Sequence, residues 1–145
     1  GGWEIKDLAD IPFTLLIQTD VNLLDHTVGV TKVAMAIGDT LDETYGGKIP
    51  INRDYIIAGG ILHDVGKLVE YERRDGTILK SPCGKDLRHP FSGTALAYRR
   101  DGPTAVCHLI AVHAKEGEGA RMSPEAIIIN HADFSNFEPL KLMAR

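Results

Sequence analysis

The sequence predicts an all-α fold, a bundle of five or six helices in a single domain over residues 1–145. Three observations carry this prediction. Apolar residues recur at helical spacing through long windows, as a face packed on a common core requires. Helix starts are marked by good capping residues or by an early proline, at Asn52, His89-Pro90 and Ser123-Pro124-Glu125. Strand signals are scarce: the β-prone run Ile127-Ile128-Ile129 is short and directly follows a helical start signal. With 145 residues, 43% apolar and 25% charged, the chain suits one domain that buries roughly 70% of its unfolded surface.

From Pro12 to Tyr45 no proline interrupts the chain. Leu23, Leu24, Thr27, Val28, Val30, Val33, Ala34, Ile37 and Leu41 repeat at helical intervals, predicting one long helix or two abutting ones. Gly46-Gly47-Lys48-Ile49-Pro50 ends it. Asn52 caps a second helix running to about Tyr71, with Ile57, Ile61, Val65 and Leu68 on one stripe. Residues 72–88 are rich in Gly, Pro and charge and are read as loop, with room for a short hairpin around Asp75-Gly76. His89-Pro90 opens a helix to about Arg100, and Asp101-Gly102-Pro103 restarts the chain for a helix carrying His108 and His113. Lys115-Glu116-Gly117-Glu118-Gly119 is a solvated linker before a last helix from Ala126 to about Asn136, so the helical core covers about 12–136.

A net charge of −4 without a clustered basic stripe argues against autonomous nucleic-acid binding. No apolar run reaches the roughly 18 residues of a membrane span, and no signal-peptide pattern opens the chain, so a cytoplasmic protein is expected. Cys83 and Cys107 lack metal or redox spacing and are read as free thiols. The chain opens Gly-Gly-Trp without Met, which leaves room for flanking segments.

The histidines carry the chemistry. His26, His63, His108, His113 and His131 fall in predicted helices, and His89 opens another. Imidazole is the commonest neutral metal ligand, and bundles build metal sites from side chains that converge from several helices. Neighbours on a helix point about 100° apart, so one ion between those directions can take both His63 and Asp64. Iron, manganese and zinc accept such a mixed nitrogen and oxygen set. Gly59 and Gly60 lie four residues earlier and leave a bare patch that a second helix, the one bearing His26, can approach. Lys67 lies one turn beyond, placed either to orient Asp64 through a salt bridge or to hold a substrate phosphate. His108 and His113 are about 140° apart on a helix, and His131 and Asp133 about 200° apart, so one of each pair can face a given ion. Spacing alone does not choose between them.

His26, then His63-Asp64 within "LHDVGK", then Asp133 in "HADF" resemble the H…HD…D signature of the HD-domain metal-dependent phosphohydrolases. The resemblance runs from about Asp25 to Asp133. "HDVGK" matches the HD-(I/V)-G subgroup, and "SPEAIIINHAD" is similar to the last helix of the HD domain in ribonuclease Y. It implies an all-α HD-type fold with His26, His63, Asp64 and Asp133 on one metal. It also implies a second metal on two histidines of the middle helices, for which His89 in "RHPFSG" and His113 in "AVHAKEG" match in order and context. Two divalent ions, iron or manganese with zinc, nickel, cobalt or magnesium also compatible, would share Asp64 and a bridging water. That water, brought toward neutral pKa, would supply the hydroxide that attacks phosphorus.

The expected activity is hydrolysis of a phosphomonoester or phosphodiester of a nucleotide or other small phosphorylated substrate. Lys67 adds charge to the developing dianion, and Arg88 and Arg121 are candidate phosphate contacts. Two alternatives use the same residues. A mixed-valence di-iron oxygenase of the myo-inositol oxygenase kind needs the same six ligands. A non-catalytic metal- or ligand-binding regulatory module is expected to have lost some of them.

Overall fold

The computed structural model describes residues 2–144. Five helices of nine residues or more form the bundle: α1 (Leu23–Tyr45), α2 (Arg53–Leu62), α5 (His89–Tyr98), α6 (Thr104–Val112) and α7 (Pro124–Met143). Between α2 and α5 the chain makes a short helix α3 (Lys67–Glu70), strands β1 (Tyr71–Arg74) and β2 (Thr77–Lys80), and a short helix α4 (Pro82–Asp86). Val30 and Ala34 of α1 meet Ile56 of α2, Leu109 of α6 and Ile129 and Ala132 of α7 in one buried cluster. No helix among the described residues is long and apolar enough to cross a membrane.

The first helix starts at Leu23, not near Pro12 as the sequence suggested. Residues before it run as an irregular segment, closed by an antiparallel bridge between Pro12 and Asn22. Hydroxyls of this stretch compete with helix for the backbone. Thr14 Oγ1 accepts the Leu16 N–H at 3.1 Å, and Thr19 Oγ1 accepts the Val21 N–H at 3.2 Å. The segment is nonetheless anchored, since Ile11 and Phe13 are buried. Asn22 then caps α1 by accepting the Asp25 N–H at 2.8 Å. Gly46 ends the helix in the left-handed region, at φ 57°.

The second predicted helix breaks. α2 ends at Leu62, and bonds from Val65 N–H to Leu62, Lys67 N–H to Asp64 and Leu68 N–H to Val65 give a tight 3-10 turn before α3. His63 Nδ1 takes the Gly60 carbonyl at 2.7 Å, the acceptor that residue 64 would use in a continuing helix. The buried face of α2 is Ile56, Gly59 and Gly60, whereas Ile61 of the expected stripe is exposed. A Cβ on Gly60 would lie 2.8 Å from Thr31 Cα of α1, and one on Gly59 would lie 2.6 Å from Leu109 Cδ1 of α6. Bare backbone is therefore what lets α2 sit between its neighbours.

Residues 72–88, read as loop, hold more structure. β1 and β2 pair from Tyr71 with Lys80 to Arg74 with Thr77. The two-residue turn Asp75-Gly76 has φ of 50° and 77°, the backbone twist that suits a tight hairpin. α7 runs past the expected Asn136 to Met143 and contains Pro139, because Phe134, Phe137 and Leu140 continue the helical spacing. His113 is the residue that closes α6, so it lies at the end of that helix.

Candidate metal centre

Five structural elements deliver six side chains to one point. α1 contributes His26, the tight turn after α2 contributes His63 and Asp64, α5 contributes His89 in its first turn, α6 contributes His113 at its end, and α7 contributes Asp133. His63 and His113 have no exposed surface, and His26, Asp64 and His89 are buried. His131 is exposed while the Asp133 side chain is 14% exposed and turned inward. His108 stays outside the cluster and accepts the Met122 N–H at 3.1 Å.

Asp64 is the centre of the arrangement, with its two oxygens divided between two sets. Oδ2 lies 3.5 Å from His26 Nε2 and 3.4 Å from His63 Nε2. Oδ1 lies 3.1 Å from His89 Nε2 and 3.4 Å from His113 Nε2. Asp133 Oδ1 joins the first set, 3.1 Å from His26 Nε2. His26, His63 and Asp64 form one group with spacing suited to a metal ion, and Asp64, His89 and His113 form another.

The hydrogen bonds around the rim assign the tautomers. Nδ1–H of His63 donates to the Gly60 carbonyl at 2.7 Å, that of His113 to the Ile110 carbonyl at 2.8 Å, and that of His89 to Glu70 Oε2 at 2.7 Å. Each of these rings therefore turns Nε2 toward the centre. His89 Nε2 faces His113 Nε2 at 3.3 Å, and His63 Nε2 faces His26 Nε2 at 3.4 Å. Ring nitrogens and carboxylates this close in a buried space need a proton or a metal cation between them. The donor set, imidazole nitrogen with carboxylate oxygen, fits divalent first-row metals.

Carboxylates set the local charges: burial lowers His63 and His89, but Asp64, with Glu70 beside His89, raises both above the ordinary imidazole value. Burial opposes ionisation of Asp64, but the Lys67 ammonium and His63 hold its carboxyl well below the usual range. Burial lowers His113 and dominates there, keeping it neutral. Glu70, which the sequence did not bring to notice, is fully buried and accepts both the backbone N–H and Nδ1–H of His89 at 2.7 Å. Burial opposes its ionisation, yet those bonds and the charges of His89 and Arg88 bring its pKa to about 2. Its one signal in the sequence was an acidic residue a turn beyond Lys67 in an apolar segment.

Lys67 is buried, with Nζ bonded to Asp64 Oδ2 at 2.6 Å and to the Phe13 carbonyl. Gly66 has helical backbone angles, φ −63° and ψ −20°, but a Cβ there would lie 2.0 Å from the His89 carbonyl oxygen. The first turn of α5 thus rests directly on the backbone beside Asp64. Arg88 pairs with Glu116 at 2.9 Å, and both line the cleft beside the cluster. Arg121 donates to the Ala114 carbonyl at 2.7 Å and is not among the residues lining that cleft. The cleft, about 460 Å³, opens onto His26, Asp64, His89 and Asp133.

A fold of packed helices with a His and Asp cluster at a broken helix defines a class, and comparison with known proteins gives it a family. The HD domain model matches residues 23–134, and the chain belongs to that family. The family implies divalent-metal binding, and the two His and Asp groups could hold it. Among curated proteins the chain is 38% identical over 112 residues to the dihydroneopterin 2',3'-cyclic phosphate phosphodiesterase of Methanocaldococcus jannaschii, covering 77% of this chain and 44% of that protein. It is 30% identical over 112 residues to ribonuclease Y of Thermotoga petrophila, covering 77% of this chain and 18% of that protein, and equally to that of Thermotoga maritima. The chain thus spans less than half the length of these curated relatives. No solved structure matches it significantly.

Proposed function

We propose that residues 1–145 are the single catalytic HD domain of a metal-dependent phosphohydrolase, and that it cleaves a small phosphodiester. The observation that carries this reading is the division of the Asp64 carboxylate, Oδ2 toward His26 and His63 and Oδ1 toward His89 and His113. A carboxylate addressed from both sides suits two ions. His26, His63, Asp133 and Asp64 Oδ2 would hold one, and His89, His113 and Asp64 Oδ1 the other. Iron or manganese, as the family resemblance implies, is compatible with mixed imidazole and carboxylate ligands. Such ions supply Lewis acidity, which lowers the pKa of water toward neutrality and offsets phosphate charge.

This chain's own residues do the rest. Lys67 holds Asp64 in place and puts a positive charge beside the phosphate. Glu70 fixes the His89 ring so that Nε2 and not Nδ1 faces inward. Arg88 lines the cleft and would meet a phosphate oxygen there, a support that Arg121 lacks. The preference for a diester rests on the archaeal relative, whose name specifies a cyclic phosphate.

The test uses protein stripped with chelator and reloaded anaerobically with Mn²⁺ or Fe²⁺. Two ions per chain are expected, with faster hydrolysis of nucleoside 2',3'-cyclic phosphates than of 4-nitrophenyl phosphate. A metal-replete protein that releases nothing from either class, or an iron-loaded one that only consumes oxygen, would refute the reading.

A further inference from the structure

Resting on the phosphodiesterase reading, we infer that Phe134 and Phe137 form a second subsite in the cleft, which stacks a planar heteroaromatic ring carried by the substrate. α7 brings Asp133 into the metal cluster, and the next residue, Phe134, lines the same cleft, with Phe137 one turn on. The two rings meet edge to face, centroids 6.5 Å apart at 86°. Such a corner offers a flat ring one face to stack on and one edge to abut. Phe13 lies against Phe137 at 6.1 Å and against the His26 ring at 4.6 Å, so an aromatic surface runs unbroken from the metal cluster to α7.

Core packing accounts for only part of these rings: Phe137 lies against buried Phe13, yet both Phe134 and Phe137 also line the cleft. Neither Phe134 nor Phe137 belongs to the buried apolar clusters or to the partly buried side chains packed on them, and both stay partly exposed to the cleft. The space is also larger than a phosphodiester needs: about 460 Å³ lies in the range of sites that enclose a whole small molecule. Lys141 lines it too, with Nζ 5.9 Å from the Phe137 ring centroid. That ammonium can donate to ring nitrogens or carbonyl oxygens at a heterocycle's edge. A bare sugar phosphate would set hydroxyls against two phenyl rings, and an alkyl ester would set methylenes against the ammonium. A heteroaromatic ring matches both.

The test compares metal-loaded wild type with Phe137→Ala and with Phe137→Leu, which keeps apolar volume but removes the aromatic face. Binding of adenosine 5'-monophosphate and of ribose 5-phosphate is measured by calorimetry, and turnover of adenosine 2',3'-cyclic phosphate and glycerol 1,2-cyclic phosphate by product release. Wild type is expected to prefer the ring-bearing member of each pair. Either substitution should cut that preference roughly tenfold, and Phe137→Tyr should restore it. Equal binding of the two phosphates by wild type, or an unchanged preference in Phe137→Leu, overturns the subsite. Ring-dependent binding without turnover of any phosphoester leaves the subsite standing and refutes the phosphodiesterase reading instead.

Discussion

Gly66→Ala should dismantle half of the proposed metal centre without replacing any of its six converging side chains. The backbone at Gly66 is helical, φ −63° and ψ −20°, so alanine brings no conformational strain there. Its Cβ, however, would fall 2.0 Å from the His89 carbonyl oxygen and 2.7 Å from the Gly93 nitrogen. Both are backbone atoms of α5 and cannot rotate away. Real Cβ contacts do not fall under 3.0 Å, so the start of α5 must retreat by at least 1.0 Å. His89 would go with it, leaving its place 3.1 Å from Asp64 Oδ1. Metal–ligand distances tolerate only about 0.2 Å. On the proposed two-ion site, metal content should therefore fall toward one ion per chain, held by His26, His63, Asp64 and Asp133. Overpacking should also cost roughly 1–3 kcal/mol, a drop in Tm of several degrees. Gly29→Ala is the control, since its Cβ would meet only the end of the Asn136 side chain, at 2.7 Å. Elemental analysis and thermal melts of both variants decide the matter. A Gly66→Ala protein with two ions and an unchanged Tm would refute the steric argument.

Glu70→Ala should weaken metal binding about 10- to 100-fold through loss of the His89 orientation, and Glu70→Gln less, because an amide oxygen can still accept from His89; chelator competition reads both. The folded pKa of Glu70 is held near 2, below the ordinary 4.5, so its contribution to stability is complete above about 4.5 and lost as pH falls toward 2. The Tm difference between wild type and Glu70→Gln should accordingly shrink across that window, and a constant difference would contradict it. Lys67→Met leaves the Phe13 carbonyl and Asp64 Oδ2 without their donor. It should destabilise the metal-free protein by about 3–5 kcal/mol and the loaded protein by less, as judged by denaturant melts of each form. Glu125→Ala strips the acceptor of the Asn52 N–H, bonded at 2.6 Å, and should cost about 1–3 kcal/mol while leaving metal content at the wild-type value.

Local chemistry explains which parts of the fold could be read in advance. The starts of α5 and α7 were visible because Pro90 and Ser123-Pro124 act within a single turn, and the face of α1 because Val30 and Ala34 repeat at one spacing. The break after Leu62 was not visible. Its cause is an imidazole taking a backbone carbonyl, and nothing in the periodicity of Ile57, Ile61, Val65 and Leu68 records it. Likewise the stretch before Leu23 has helical-looking composition, but threonine hydroxyls tie up its amides. At the candidate centre, the residues that converge were all named by motif or by resemblance. What the pattern could not supply was direction. Turning His131 out and Asp133 in depends on the rotation of α7 against α1, which is a property of packing.

The candidate centre depends on more than its six converging side chains. The family match begins at residue 23, yet the carbonyl that completes the surroundings of Lys67 belongs to Phe13, ten residues earlier. Phe13 also lies against the His26 ring and, through Phe137, against α7. Buried ammonium needs several acceptors, and Asp64 alone would leave Lys67 partly unsatisfied. The irregular segment is therefore fixed by the demand of a buried charge and by the burial of Ile11 and Phe13, in place of helical hydrogen bonds. Removing it would uncover Lys67 and His26 together, so the metal-centre residues and the aromatic surface of the cleft share one support.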